Sequence, residues 1–201
     1  MNLANKLTIF RIILVPIFVI IGYLNLPGNV MGIAATFIVM DIIFIIASIT
    51  DKLDGYIARS RNQVTTFGKF LDPLADKILV LSAFVMLVEF GKVPAWIPII
   101  VLAREFLVSG YRLIASTKGG QVIAASVWGK LKTVTQMIAI ILVFVDKYNF
   151  AECFFSSIRS SMSMSQLVFN VVTTLLLIIS TIATVFSGYD YLKGGKDLLK
   201  D

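Results

Sequence analysis

Residues 35–59 read ATFIVMDIIFIIASITDKLDGYIAR, and this stretch decides the fold. Its first part is apolar apart from small hydroxyl residues and Asp41, and its last part is charged. About 20 apolar residues in a helix span the hydrocarbon of a membrane. We therefore predict a single helix over residues 30–60, longer than a membrane needs, whose charged end projects out of the bilayer.

The composition of the whole chain agrees with a membrane protein. Of the 201 residues, 58% are hydrophobic, and the mean hydropathy is +0.90. A soluble domain has about 45–50% apolar residues even when glycine is counted. The net charge of +6 therefore indicates contact with anionic lipid head groups and a phosphorylated substrate, rather than with nucleic acid.

Hydropathy predicts an all-α integral membrane fold with six transmembrane helices in one domain, residues 1–201. The predicted spans cover residues 7–26, 30–60, 68–90, 94–116, 124–145 and 167–192. Of the 18 Lys and Arg residues, only Lys92, Lys147 and Arg159 fall on one side of these spans. Because cytoplasmic loops collect basic residues, we expect the other side, with both termini, to be cytoplasmic.

Four aspartates flank the loop between the second and third predicted spans. Asp51 and Asp54 are three residues apart, and Asp72 and Asp76 are four apart, so each pair shares one helix face. Four converging carboxylates would repel one another unless cations bound them. The chain has no histidine and a single cysteine, Cys153, so a metal site must use oxygen ligands, which suit Mg²⁺ or Mn²⁺.

Small residues accompany the aspartates. Gly55 and Gly68 each lie four residues from an aspartate, on the same helix face, where a substrate or a second helix could approach closely. The sequence from Asp51 to Asp76 also contains the pattern D-x2-D-G-x2-A-R-x8-G-x3-D-x3-D. Its members are Asp51, Asp54, Gly55, Ala58, Arg59, Gly68, Asp72 and Asp76.

This pattern resembles the signature of the CDP-alcohol phosphatidyltransferase family, with all eight positions present. The resemblance implies an enzyme of the bacterial cell membrane that is active at the cytoplasmic surface of that membrane. It also implies a homodimer. It implies that the four aspartates hold two divalent cations, with Asp76 as general base. It also implies that Gly55, Ala58, Arg59 and Gly68 contact the CDP part of a CDP-linked lipid.

The N-terminal segment carries three polar residues along one helix face. Asn5, Thr8 and Arg11 follow a three-residue step at the predicted cytoplasmic end of the first span. They could contact the nucleotide or cap the helix. Asp41, about 15 Å along the helix from Asp51, is too deep to join the same metal site and could face a dimer interface or a polar pocket.

A basic set in the second half bears on the acceptor alcohol. Arg104, Arg112, Lys118 and Lys130 could bind an acceptor phosphate by charge-assisted hydrogen bonds, although positive-inside bias also explains Lys118. Arg104 lies within a span, so it should pair with Glu105 or line a polar cavity.

The acceptor itself rests on a second resemblance. Residues 103–136 resemble bacterial members of the family that join CDP-diacylglycerol to sn-glycerol 3-phosphate. Inositol phosphate or phosphatidylglycerol as acceptor, and a divalent-cation transporter as another class of protein, remain alternatives.

Overall fold

The computed structural model describes residues 3–60, 66–117 and 127–194, and within these ranges the side chains of 3–4, 52–60, 66–70, 72–73 and 113–117 are left undescribed. Helices dominate these ranges. The long ones are α1 (Leu3–Tyr23), α2 (Ala35–Ser60), α3 (Thr66–Glu89), α4 (Trp96–Thr117), α5 (Val127–Val145) and α7 (Met164–Gly194). A 3-10 turn (Glu152–Phe154) and the four-residue α6 (Ser156–Arg159) precede α7.

Each long helix overlaps one predicted span, but not all of them are confirmed as membrane spans. In the described part of the chain, three segments are long and apolar enough to cross a membrane: Asn5–Tyr23, Val127–Val145 and Met164–Gly194. Because α2, α3 and α4 carry charged residues within their length, they do not meet this criterion. The protein is therefore a helical membrane protein, and the number of six crossings remains a prediction.

The predicted start of the second span is wrong by a few residues. Asn29–Val30 pairs with Ile33–Ala34 as the antiparallel strands β1 and β2. The turn between them holds Met31 and Gly32 at φ values of 54° and 88°. Two consecutive positive φ values make the tight turn that joins short antiparallel strands, and glycine adopts one of them without strain. The hairpin therefore takes residues that hydropathy assigns to a helix.

The chain divides into two compact units. In the first unit, residues 1–92 with 141–147, α1 packs against both α2 and α3. Gly22 of α1 permits close approach, since a Cβ there would lie 2.3 Å from Met86 Cε and 3.2 Å from Met40 Cε. Gly91, at φ 68°, follows the end of α3, and Lys92 N–H closes the helix by donating to Leu87 O at 2.8 Å.

The second unit comprises residues 93–140 and 148–201, and its main contact is α4 against α7. The first half of α5 also meets α7, where the rings of Trp128 and Phe186 stack with centroids 4.9 Å apart. Trp96, at the start of α4, meets Phe150 edge to face. Charged and hydroxyl side chains of α4, α5 and α7 lie inside this unit, and they form a candidate site of their own.

Candidate active site

The buried face of α1 is polar in one half and apolar in the other. Asn5, Thr8 and Arg11 are buried in its first three turns, and Val15 and Phe18 continue the same face. The spacing of three and four residues confirms that the three polar residues share a helix face. Arg11 and Thr8 lie well inside the helix rather than at its first residue, so capping does not explain their burial.

The buried face of α2 is apolar in its first part and polar toward its end, which is the reverse of the order in α1. Met40, Phe44 and Ala47 are fully buried, and the same helical step leads next to Asp51. Asp54 lies three residues further along α2, although its side chain is outside the described part. The apolar half of α2 therefore comes first and the predicted metal ligands follow.

The aspartates of α3 lie within its first three turns. Ala75, Leu79 and Ala83 form a buried stripe along α3, and Asp76 follows Ala75 at its edge with a half-buried side chain. Asp72 lies within the same helix, one turn before Asp76, with its side chain undescribed. The aspartates therefore come at the N-terminal end of α3.

An ion pair connects the polar halves of α1 and α2. Arg11 Nη1 lies 2.8 Å from Asp51 Oδ1, and the arginine side chain is 0% exposed. A fully buried guanidinium is costly unless anionic groups compensate for the lost hydration. Asp51 is 36% exposed, so this carboxylate faces the buried cation on one side and an open region on the other. The contact places the first predicted metal ligand at the polar end of the unit.

The predicted metal site can be compared with the structure only in part. Asp51 and Asp76 have described side chains, whereas those of Asp54, Arg59 and Asp72 do not, and Gly55, Ala58 and Gly68 are located as helix positions. Among the described residues, no three His, Cys, Asp or Glu side chains gather closely enough to hold an ion. The chemistry of the donors fits a hard divalent cation, because all four candidate ligands are carboxylates.

Asp41 lies away from this region. It is buried in α2, and its Oδ1 accepts no hydrogen bond from the described part of the chain. Because the side chain is enclosed within the chain itself, it does not lie on an open face of the helix. Of the two predicted surroundings of Asp41, a dimer interface and a polar pocket, burial within the chain fits the pocket.

The second unit gathers cations around a single carboxylate. Arg104 Nη1 donates to Glu105 Oε1 at 3.0 Å, which confirms the predicted pairing. Lys132 of α5 donates to the same oxygen, and this lysine is buried. Glu105 therefore bridges α4 and α5 through one oxygen atom, and two positive charges share one negative charge.

Tyr191 of α7 links both arginines of α4. The Arg104 guanidinium carbon lies 5.7 Å from the centre of the Tyr191 ring, and that of Arg112 lies 5.6 Å from it. Arg112 Nη2 also donates to the tyrosine hydroxyl at 2.7 Å. The phenol thus holds Arg112, which is otherwise exposed, in a defined direction.

Further polar groups surround Arg104. Its Nη2 donates to Ser187 Oγ at 2.6 Å, and Gly188 leaves room for its aliphatic stem. Arg104 Nε, and Oε1 of Gln136 one turn after Lys132, are buried and make no hydrogen bond within the described residues. These two groups remain able to bind a polar molecule. Of the other predicted phosphate ligands, Lys130 is exposed on α5 and Lys118 lies outside the described residues.

Sequence reasoning did not assign roles to several of these residues. The sequence pattern predicts no ligand role for Lys132, and it predicts no role for Tyr191 or Ser187. The three-residue step from Asn5 to Arg11 was the available signal for Arg11. Tyr191 and Ser187 lie in an apolar run near the C-terminus, where no pattern along one helix identifies contacts with another.

Comparisons with known proteins identify the family of this chain. The profile of the CDP-alcohol phosphatidyltransferase family matches residues 1–186. A Bacillus subtilis protein named CDP-diacylglycerol–glycerol-3-phosphate 3-phosphatidyltransferase is 40% identical over 206 residues, covering 99% of this chain and 97% of its own. A Haemophilus influenzae protein of the same name is 37% identical, covering 100% and 96%. A probable phosphatidylglycerophosphate synthase of Mycobacterium tuberculosis is 41% identical over 139 residues, covering 69% and 64%. The chain is a member of the CDP-alcohol phosphatidyltransferase family.

Proposed function

We propose that this protein transfers the phosphatidyl group of CDP-diacylglycerol to sn-glycerol 3-phosphate, giving phosphatidylglycerophosphate and CMP. The observation that carries the proposal is similarity along nearly the whole chain to relatives named for this reaction. Three cations of the second unit, Arg104, Arg112 and Lys132, support a phosphorylated acceptor. Their three positive charges exceed the one negative charge of Glu105, which pairs with two of them.

For the donor, we propose that Asp51, Asp54, Asp72 and Asp76 hold two divalent cations, Mg²⁺ or Mn²⁺. Such ions, when bound, neutralise a diphosphate and stabilise a phosphate leaving group. The buried polar face of α1, with Asn5 and Thr8, supports a role in binding the CDP part. Gly55, Ala58, Arg59 and Gly68 complete the proposed CDP site, and their role comes from the family signature.

In the proposed reaction, an acceptor hydroxyl oxygen forms a bond to the phosphorus that carries the diacylglycerol. The bond from that phosphorus to the oxygen of CMP breaks, and CMP leaves with the electron pair. Asp76 takes the proton of the attacking hydroxyl. Its half-buried position at the edge of the stripe on α3 supports this role, because a base must be reachable by substrate yet shielded from bulk water.

For the acceptor, we propose that Arg104, Arg112, Lys118 and Lys130 bind the phosphate of glycerol 3-phosphate. Guanidinium groups form two parallel hydrogen bonds with a phosphate, so a directed arginine adds geometry as well as charge. Tyr191 directs Arg112 in this way. We also propose six membrane crossings from hydropathy, cytoplasmic termini from the charge distribution, and a homodimer from the family resemblance.

The deciding experiment uses purified protein, CDP-diacylglycerol, radiolabelled glycerol 3-phosphate and Mg²⁺. We expect labelled phosphatidylglycerophosphate and an equal amount of CMP. Labelled inositol phosphate and unlabelled phosphatidylglycerol, supplied instead, test the other acceptors. Incorporation of inositol phosphate but not of glycerol 3-phosphate would show that the proposed acceptor is wrong.

A second experiment tests the metal and the base. We expect EDTA to abolish turnover and added Mg²⁺ or Mn²⁺ to restore it. Asp76→Asn should abolish turnover while CDP-diacylglycerol binding remains measurable. Full activity in excess EDTA would refute metal dependence, and substantial turnover by Asp76→Asn would remove its role as the base.

A further inference from the structure

The segment before α7 exposes its aromatic residues and buries its cysteine. In the run Cys153-Phe154-Phe155, Cys153 is 3% exposed, whereas Phe154 and Phe155 are 65% and 59% exposed. Phenylalanine has more apolar surface to remove from water than cysteine has, so aqueous surroundings favour burial of the two rings. This orientation is stable only if an apolar environment lies outside the loop.

Hydrogen bonds to α7 hold the segment in this orientation. The buried Asn170 accepts from Cys153 N–H at 3.0 Å and donates through Nδ2 to Asn149 O at 3.0 Å. Thr174, one turn further along α7, accepts from Ala151 N–H at 3.1 Å. Both carboxylate oxygens of Glu152 accept from Asn149, which closes the turn on itself. The exposed rings therefore project from a fixed turn.

The position of this turn in the fold indicates what surrounds it. Along the sequence it lies between α5 and α7, and both of these helices are long and apolar enough to cross a membrane. Exposed apolar residues continue from it onto the first turns of α7, where Met164 and Val168 have more than half of their surface open. Aromatic residues are enriched where membrane helices meet the head-group region.

The residues after the two phenylalanines suit the same boundary. Ser156, Ser157, Ser160 and Ser161 are exposed hydroxyl residues, and Arg159 is an exposed cation in α6. Hydroxyl and guanidinium groups bind lipid phosphates, whereas the rings require the region just below them. The two phenylalanines are thus followed by polar and basic residues, and this order matches the change from hydrocarbon to charged head groups at a phospholipid surface.

We propose that Phe154 and Phe155 insert into the phospholipid interface at this end of the membrane helices, with α6 lying at head-group level. Asn170 is the positioning residue that sets the depth of the rings. The partner is the bilayer itself, and a second copy of the chain is the competing occupant. The proposal does not depend on the acceptor or on the reaction that the protein catalyses.

Spin-label depth measurements test this proposal in the full-length protein, reconstituted in phosphatidylglycerol–phosphatidylcholine vesicles. Phe155→Cys and Ser161→Cys each receive a nitroxide, and the unsubstituted protein reports any labelling of the buried Cys153. We expect the label at 155 to collide with oxygen in preference to a water-soluble nickel complex, several-fold more than the label at 161. Cys153→Ala serves as the background if Cys153 reacts.

The competing environments give different results. Equal access of the nickel complex to both labels would place the rings in water, and poor access of both reagents at 155 would place them against protein. Either result would overturn the proposal. Asn170→Ala, combined with Phe155→Cys, should reduce the difference between the two positions, because the turn loses two of the hydrogen bonds that hold it. An unchanged difference would refute the positioning role of Asn170.

Discussion

Replacing Lys132 by methionine tests the carboxylate bridge of the second unit. Lys132 is buried on α5 and donates to Glu105 Oε1, which also accepts from Arg104. Lys130 lies two residues earlier on the same helix but is exposed. Lys130→Met is therefore a matched control with the same change of charge and volume. If burial and pairing matter, the two variants should differ in stability.

The magnitude follows from what each lysine contacts. Removing one partner of a buried ion pair costs about 3–5 kcal/mol because the other charge is left without compensation. Here Glu105 keeps Arg104, and its side chain is 23% exposed, so solvent takes up part of the loss. We expect Lys132→Met to lower the free energy of unfolding by about 1–3 kcal/mol. Lys130→Met should change it by less than about 0.5 kcal/mol, as is usual for surface positions.

Thermal unfolding in one detergent at one scan rate measures this difference. For a chain of this size, each kcal/mol corresponds to about 2–4 °C, so Lys132→Met should lower the midpoint by about 2–12 °C. Lys130→Met should leave the midpoint unchanged and raise the KM for glycerol 3-phosphate, as expected of an exposed phosphate ligand. Equal destabilisation by both variants, or by neither, would refute the bridge through Glu105.

Two further predictions concern other contacts. Tyr191→Phe keeps the ring beside both arginines but removes the hydroxyl that accepts from Arg112. Loss of this hydrogen bond costs about 0.5–1.5 kcal/mol. The KM for the acceptor should therefore rise about two- to tenfold with kcat unchanged. Steady-state kinetics with varied glycerol 3-phosphate measure this, and an unchanged KM would contradict it. Gly22→Leu should destabilise the first unit by about 1–3 kcal/mol, since Met86 and Met40 already fill the space. Gly110→Ala, where nothing lies within 4 Å of the added Cβ, should instead stabilise α4 by up to about 1 kcal/mol. Equal thermal midpoints for the Gly22→Leu and Gly110→Ala variants would contradict the close packing at Gly22.

Properties that belong to one helix were predictable from the sequence. Helix length follows from apolar runs, and the face shared by Asn5, Thr8 and Arg11 follows from helical periodicity. The pairing of Arg104 with the adjacent Glu105 followed from the cost of an isolated cation within a span. These inferences need no knowledge of how the helices are arranged.

Contacts between distant segments were not predictable in the same way. Lys132 is 27 residues from Glu105, and Arg112 is 79 residues from Tyr191. Helical periodicity indicates which side chains share a face of one helix. It does not indicate which faces of two helices pack against each other. The β1–β2 hairpin was missed for a different reason, because Val30, Met31 and Ile33 are apolar and hydropathy does not separate a short strand from the beginning of a helix.

The direction of each helix explains why the polar residues of the first unit belong together. Polar positions begin α1, end α2 and begin α3, so alternating chain direction brings them to one end of the unit. The ion pair between Arg11 and Asp51 ties α1 and α2 at that end. Apolar side chains at the same positions would pack at a lower cost in desolvation, as Val15, Phe18 and Phe44 do at the other end. A buried cation and buried hydroxyl and amide groups beside a predicted carboxylate site therefore support a role in binding a charged donor, because packing alone does not require them.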